Sequence, residues 1–483
     1  MAQALSVNPV RRIQDSARVF VSASDWLVEP GVDKRKAGDL AQRRSENFLE
    51  MNRGILSDFG VRGQLGGVRG DIGLWLETDT RIGALPLLSP SSAKPELGLV
   101  VEPRFSWTSA GDMLVGTGFR ITPEILPLPR MVPNSDRQIP SWVLSATVLM
   151  RIEALLKQSS RRFEMKEAIL NAPKGQVNWS RYASNHWAQG QGLSIPCRFP
   201  DLLADIKLHG AMHWTVLRHQ DALRTQRGRH IAVLHLLQRC EALLMQLRPY
   251  APTQPRTGWQ PANSNASTDV FRKGLEAIHW TVDERGLGGT SDLAGLPWRM
   301  DMAVFFEAWI ESIAEATAKR FQAKLTAGRR HETLVRLHWQ PQRLGTQRAL
   351  IPDVVLQRAE VTLVIDAKYK RHAQLVGYGG YARGEHDWQA QHREDLLQVL
   401  AYSSLFDTPR VVACLAYPTP HDQWQILRDQ GRVMSRAAVR HGLRQVEVAM
   451  VAVPMSGSTA EISDFFGRLL LPADVGTGTK SLS

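Results

Sequence analysis

The sequence predicts a multidomain α/β protein with a β-rich N-terminal domain, a helical middle and a C-terminal mixed sheet flanked by helices. Three observations point there. Short apolar stretches alternate with Gly and Pro over the first 135 residues; apolar residues recur at helical spacing between 142 and 247; and beyond 300 a helical stripe gives way to continuous apolar runs of strand length. A chain of 483 residues, 43% apolar and 22% charged, can bury at least two separate cores.

Within residues 1–135, runs such as Gly98-Leu99-Val100-Val101 and Met113-Leu114-Val115 read as strands between turn signals. Residues 142–158 place Leu144, Val148, Ile152 and Leu155 on one helical face, and Leu217, Leu223, Val233, Leu237 and Leu244 repeat the pattern, so 136–250 reads as a helical domain. Residues 251–270 carry three prolines, several Asn and Ser and no periodic face, the composition of a linker. The remaining domain, 271–475, opens with a helix over 300–321. Strands over 334–339, 351–356 and 361–367 follow, then a helix over 394–406 and strands over 410–416, 424–428 and 446–453. Residues 476–483 read as a flexible tail.

Charge narrows the partners. Lys plus Arg number 59 against 47 Asp plus Glu, a formal net charge of +12, and the 46 Arg outnumber the 13 Lys. A polyanion such as DNA is the expected partner, and the guanidinium fork suits phosphate. Cys197, Cys240 and Cys414 lie far apart with no CxxC pair, which excludes a zinc cluster or a disulfide framework and suits a reducing cytoplasm. No apolar run approaches a membrane span, and Arg11, Arg12 and Asp15 interrupt the segment where a signal peptide would need an apolar core.

The densest chemical signal runs from Ile351 to Lys370. Pro352-Asp353 opens one apolar strand, a turn over 357–360 closes it, and the next strand ends in Ile365-Asp366-Ala367-Lys368. In a strand, residues two apart share a face, so Asp366 and Lys368 point to one side and Ala367 offers only its carbonyl. From the neighbouring strand of the hairpin, Asp353 reaches the same point. Two aspartates and the Ala367 carbonyl suit a hard cation such as Mg²⁺, with Mn²⁺ as a substitute, and Lys368 adds a positive group for an attacking water or a phosphate. That set fits metal-assisted phosphodiester hydrolysis.

Pro352-Asp353 with Asp366-Ala367-Lys368 resembles the PD-(D/E)xK (restriction-endonuclease-like) nuclease signature. Residues 296–302 leading to Phe306-Glu307, and Asp395 to Tyr402 with Gln398 and Tyr402 one turn apart, are similar to the helices that flank the site in McrC-type subunits of modification-dependent, 5-methylcytosine-specific restriction systems. Leu99 to Arg104 and Pro173 to Trp179 also resemble short McrC patterns. The resemblance implies an Mg²⁺-dependent endonuclease subunit of a restriction or phage-defence complex, with Glu307 assisting the metal and Gln398 and Tyr402 supporting the site. It further implies a separate AAA+ partner that hydrolyses GTP or ATP. A stand-alone PD-(D/E)xK nuclease of repair or recombination is the alternative, and a non-catalytic DNA-binding adaptor a third.

Competing readings stand beside these. On a helical wheel, the stripe Met302, Phe305, Phe306, Trp309 and Ile313 leaves Glu307 on a flank, and Gln398 and Tyr402 could be packing residues. His386, Asp387, His392, Glu394 and Asp395 read as a charged loop and helix start, and His331-Glu332 as surface. Residues 476–481 fail the GxxxxGK[ST] spacing, so nucleotide hydrolysis is assigned to the partner. No GxSxG elbow is present.

Overall fold

The computed structural model describes residues 10–28, 34–128, 139–140, 142–159, 162–203, 205–226, 230–261, 268–282, 297–341, 345–370, 385–441, 444–457 and 459–471. The chain divides into two compact units, one of 1–140, 230–232 and 294–483, the other of 141–229 and 233–293. Three successive domains were expected. The difference has a backbone cause: the strand Trp298–Asp301 pairs antiparallel with Arg81–Leu87 and with Glu124–Ile125, so the N-terminal sheet is completed by a strand that comes after the second unit in the sequence. Nor is 251–270 a boundary, because 251–261 and the helix Asp269–Val282 belong to the second unit.

The N-terminal segment is β-rich as expected, and it also holds a helix the sequence reading missed, Lys34–Phe59. Phe48, Leu56 and Phe59 of that helix share a core with Leu74 and Leu76 of the three-stranded sheet Arg18–Ser22, Asp71–Thr78, Val61–Val68. Residues 113–115 lie in the helix Ser106–Gly116, which corrects their assignment as a strand; Ala110, Met113 and Leu114 bury one helical stripe.

In the second unit the helices Trp142–Gln158, Ile206–Arg224 and Ile231–Leu247 match the expected periodicity, with Asp269–Val282 added. Gly274 allows a close helix approach, since a Cβ there would lie 2.7 Å from Leu155. His219, fully buried, faces Ser145 Oγ and Thr281 Oγ1, each at 3.1 Å, and so joins three helices. The unit is not purely helical. It contains an antiparallel sheet of Arg162–Leu170, Ile195–Leu203 and Gln176–Val177.

The C-terminal part of the first unit holds a six-stranded mixed sheet in the order Lys324–Ala327, Val354–Arg358, Val361–Ala367, Arg410–Thr419, Arg444–Pro454, Met434–His441. Central strands pair parallel and are buried throughout, which is why Val361–Ala367 and Arg410–Thr419 read as unbroken apolar runs. The helix Met302–Phe321 packs Met302, Phe305, Phe306, Trp309 and Ile313 inward. Asp301 caps it by accepting from Ala303 N at 2.8 Å, a contribution of about 1 kcal/mol.

Three expectations need correction. The run 424–428 is helical, within His421–Asp429, because Pro420 ends the preceding strand and Trp424 turns inward, its indole donating to Ala452 O at 3.0 Å. Of 334–339 only Val335–Arg336 is a strand. The hairpin turn is two residues, Ala359 and Glu360, since Arg358 already pairs with Val361. The expected tail 476–483 lies outside the described residues.

Candidate functional site

Strand register builds the centre of the site. Val354 pairs with Ile365, so Asp353, one residue earlier, stands opposite Asp366, and cross-strand partners share a face. Ala367 N donates to Asp353 Oδ2 at 2.8 Å, which fixes that carboxylate at the strand entrance. Asp366 is 1% exposed in an otherwise apolar strand. Two residues on, Lys368 Nζ lies 2.8 Å from Asp366 Oδ2.

The helix Glu385–Ser403 completes the group. Gln398 is exposed and accepts from Lys368 Nζ at 2.8 Å through Oε1, while its Nε2 donates to Tyr402 Oη at 2.9 Å. Helical spacing of four residues makes that bridge possible. The polar chain therefore runs from Asp366 through Lys368 and Gln398 to Tyr402.

Burial, then the Asp366 and Glu307 charges, push Asp353 up to about 8. Burial also raises Asp366, with Lys368 opposing. For Lys368 burial opposes the ammonium, but Asp366, Asp395 and Asp353 outweigh it and hold the amine above its ordinary value. Burial likewise raises the Tyr402 phenol. Paired buried carboxylates of this kind are short of positive charge, and their hard oxygens are the donor chemistry a divalent cation takes.

Glu307, half-buried on the flank of its helix, reaches this centre through its field. Burial raises its carboxyl above the usual range, Arg329 opposes, and Asp301 and Asp366 add to the rise. Among the described residues no three His, Cys, Asp or Glu side chains group closely enough to hold a metal ion. The aspartates thus stand as a pair, with Glu307 set apart.

Two features escaped the sequence reading. Asp395, read as part of a charged helix start, is buried in the helix and accepts from Lys370 Nζ at 2.7 Å and from Tyr417 Oη at 3.2 Å. Its spacing of three and seven residues from Gln398 and Tyr402 was the available signal. The side chains of His386 and Asp387 lie outside the described residues, while His392 Nδ1 lies 3.3 Å from Tyr417 Oη. The second feature clamps the residue after Lys368. Arg104 stacks over Tyr369 at 4.2 Å and pairs with the fully buried Asp15, whose Oδ1 accepts from Arg104 N at 2.6 Å. Phe105 and Phe306 pack on the same ring. No local pattern marks Asp15, because its role arises only when the N-terminal sheet meets this strand end.

The sheet and its strand ends define a component with a paired-aspartate and lysine centre on a mixed α/β fold. Residues 289–418 match the family model described as "McrBC 5-methylcytosine restriction system component", a span that includes Glu307, Asp353, Asp366, Lys368, Gln398 and Tyr402. Over that span the chain is similar to McrBC restriction-system components. Solved structures that match include a half-complex from the tetradecameric assembly of Thermococcus gammatolerans McrB AAA+ hexamers with bound McrC. There the identity is 12% over 95% of this chain and 99% of that chain, with a TM-score of 0.42. The cryo-EM structure of the Thermococcus gammatolerans McrBC complex matches at 14% identity over 66% of this chain and 89% of that chain, with a TM-score of 0.26. No curated protein matches. Among the described residues no helix is long and apolar enough to cross a membrane.

Proposed function

We propose that this chain is the Mg²⁺-dependent DNA endonuclease subunit of a McrBC-like restriction or phage-defence complex, activated by a separate AAA+ NTPase and acting in the cytoplasm. The observation that carries the proposal is the convergence of Asp353, Asp366 and Lys368 at the ends of two adjacent interior strands, inside the span that matches the McrBC family.

Asp353, Asp366 and the Ala367 carbonyl would hold the ion, with Glu307 assisting from its flank. When bound, Mg²⁺ supplies an acidified water and positive charge for the phosphate. Lys368 places an ammonium beside the scissile phosphate and can orient the attacking water, a charge-assisted contact that strengthens as negative charge builds on the phosphate. Gln398 and Tyr402 aim that ammonium. The Cys197, Cys240 and Cys414 thiols, all free and buried, suit a reducing compartment. The net charge of +12 suits a DNA substrate.

The test is cleavage of DNA with Mg²⁺, with and without a McrB-like AAA+ NTPase, by wild type, Asp366→Ala and Lys368→Ala. Wild type should cut only with both Mg²⁺ and the NTPase, and the folded variants should be inert. Cleavage that survives both substitutions overturns the site. Cleavage without NTP overturns the coupling to a motor and leaves a stand-alone nuclease.

A further inference from the structure

A two-stranded ribbon leaves the six-stranded sheet just before Asp353. After Lys324–Ala327 the chain turns at Gly328, runs out through Val335–Arg336, and returns through Ala349–Leu350 straight into Pro352-Asp353. Val335 pairs with Leu350 and Arg336 with Ala349, and Leu337 N donates to Arg348 O at 2.8 Å. Further out, Trp339 Nε1 donates to Gln347 O at 2.7 Å across the ribbon. These bonds make the ribbon a paired structure along its described length.

Its base is tied to the site. Thr333 Oγ1 donates to Pro352 O at 2.6 Å, and Gly328 N to Asp353 O at 2.8 Å. A Cβ at Gly328 would lie 2.6 Å from Pro352 O, so the approach requires glycine. Charge is distributed unevenly along the ribbon. At the base, Arg330 pairs with Glu311 and Glu315, and Arg329 lies 4.0 Å from Glu311. Farther out, Arg336 and Arg348 are exposed and have no acidic partner among the described residues. Exposed His338 and Gln347 and a half-exposed Trp339 lie along the same stretch.

We infer that this ribbon is the DNA-gripping element of the enzyme: Arg336 and Arg348, on opposite faces of the ribbon because Arg336 pairs with Ala349, contact backbone phosphates on its two sides and deliver a phosphate to Asp353 and Asp366. The inference rests on the nuclease function proposed above and adds the surface that positions the substrate. A two-stranded ribbon fits the roughly 12 Å major groove of B-DNA. Exposed cations along the ribbon, free of acidic partners among the described residues, are what a polyanion requires. Because the returning leg is continuous with Asp353, a phosphate held by the ribbon is registered against the carboxylate pair by a few residues of backbone.

The test is fluorescence anisotropy of a short labelled DNA duplex with the full chain in EDTA, where cleavage is blocked, over roughly 50–200 mM salt. Two phosphate contacts contribute about 1.8 to the slope of log affinity against log salt. Arg336→Ala/Arg348→Ala should flatten the slope by that amount, so its affinity deficit shrinks about twelve-fold across the range. Arg336→Lys/Arg348→Lys should keep the slope, because both charges remain. Arg224→Ala, which removes an exposed arginine from the second unit, should not alter it. If wild type binds and the double alanine variant has the same slope, or Arg224→Ala flattens it equally, the ribbon assignment falls while the nuclease proposal stands. If wild type cleaves DNA in the Asp366 and Lys368 assay, that proposal is secure independently of this result. A wild-type chain with no salt-dependent DNA binding overturns the ribbon.

Discussion

Replacing Lys368 by Met removes the ammonium while keeping most of the side-chain volume. The side chains of Asp366 and Lys368 are 2% and 15% exposed, so the contact of 2.8 Å is largely desolvated. Removing one partner of a buried pair costs about 3–5 kcal/mol when the other charge is stranded. Asp366 already sits above the usual carboxylate range and can take up a proton, which puts the expected cost near the lower end, about 3 kcal/mol. In Asp366→Asn/Lys368→Met no charge is stranded, so the double variant should lose less than the two single losses added, a coupling of about 2 kcal/mol. Urea unfolding of the four proteins measures it. Cleavage should respond differently: Lys368→Met should fall about 10²–10³-fold in single-turnover rate, and the double variant should not recover. A coupling near zero would refute the buried pair, and wild-type cleavage by Lys368→Met would refute its catalytic role.

Three further outcomes follow from the geometry. Gln398→Ala removes one charge-assisted hydrogen bond at an exposed position and should lower the single-turnover rate about tenfold, with little change in thermal midpoint. Gln398→Glu, which keeps the acceptor, should recover part of that rate. Burial holds the folded-state pKa of His219 at about 3, below its ordinary value of 6.5, so the unfolded chain takes the proton first and stability falls as pH drops below 6.5. About 2 kcal/mol should be gone by pH 5, and His219→Gln should lose that share of the pH dependence in unfolding measured at neutral pH and pH 5. Gly116→Ala would drive a Cβ to within 2.1 Å of the Trp309 ring, whose indole is pinned to Pro454 O. A loss of about 1–3 kcal/mol is expected by denaturation, and an unchanged midpoint would mean that the ring yields.

The site was legible where chemistry and period-2 geometry coincide. Charged residues at the ends of two apolar runs, Asp353 and Asp366, must face each other once the runs pair as a hairpin, and Lys368 follows by alternation. Gln398 and Tyr402 carried the same kind of signal at helical spacing. Residues 424–428 were misread because a short apolar run fits either period, and the decisive feature was the Pro420 before it. The helix Lys34–Phe59 was overlooked because its buried positions, such as Phe48 and Leu56, are widely separated among charged residues. Asp15, Arg104 and Tyr369 acquire meaning only through contacts across hundreds of positions, which no local pattern encodes.

The strand Trp298–Asp301 also governs how this protein can be made. Its hydrogen-bonding partners, Arg81–Leu87 and Glu124–Ile125, leave the ribosome with their edges open. The segment that closes them emerges about 200 residues after the first, on the order of 10–40 s later at typical elongation rates. Until then the nascent N-terminal sheet depends on chaperones or on solubility to avoid pairing with other chains. Any expression of the N-terminal 140 residues alone would perpetuate that exposed state, so fragments intended for biochemistry should carry residues 298–301 in the same polypeptide.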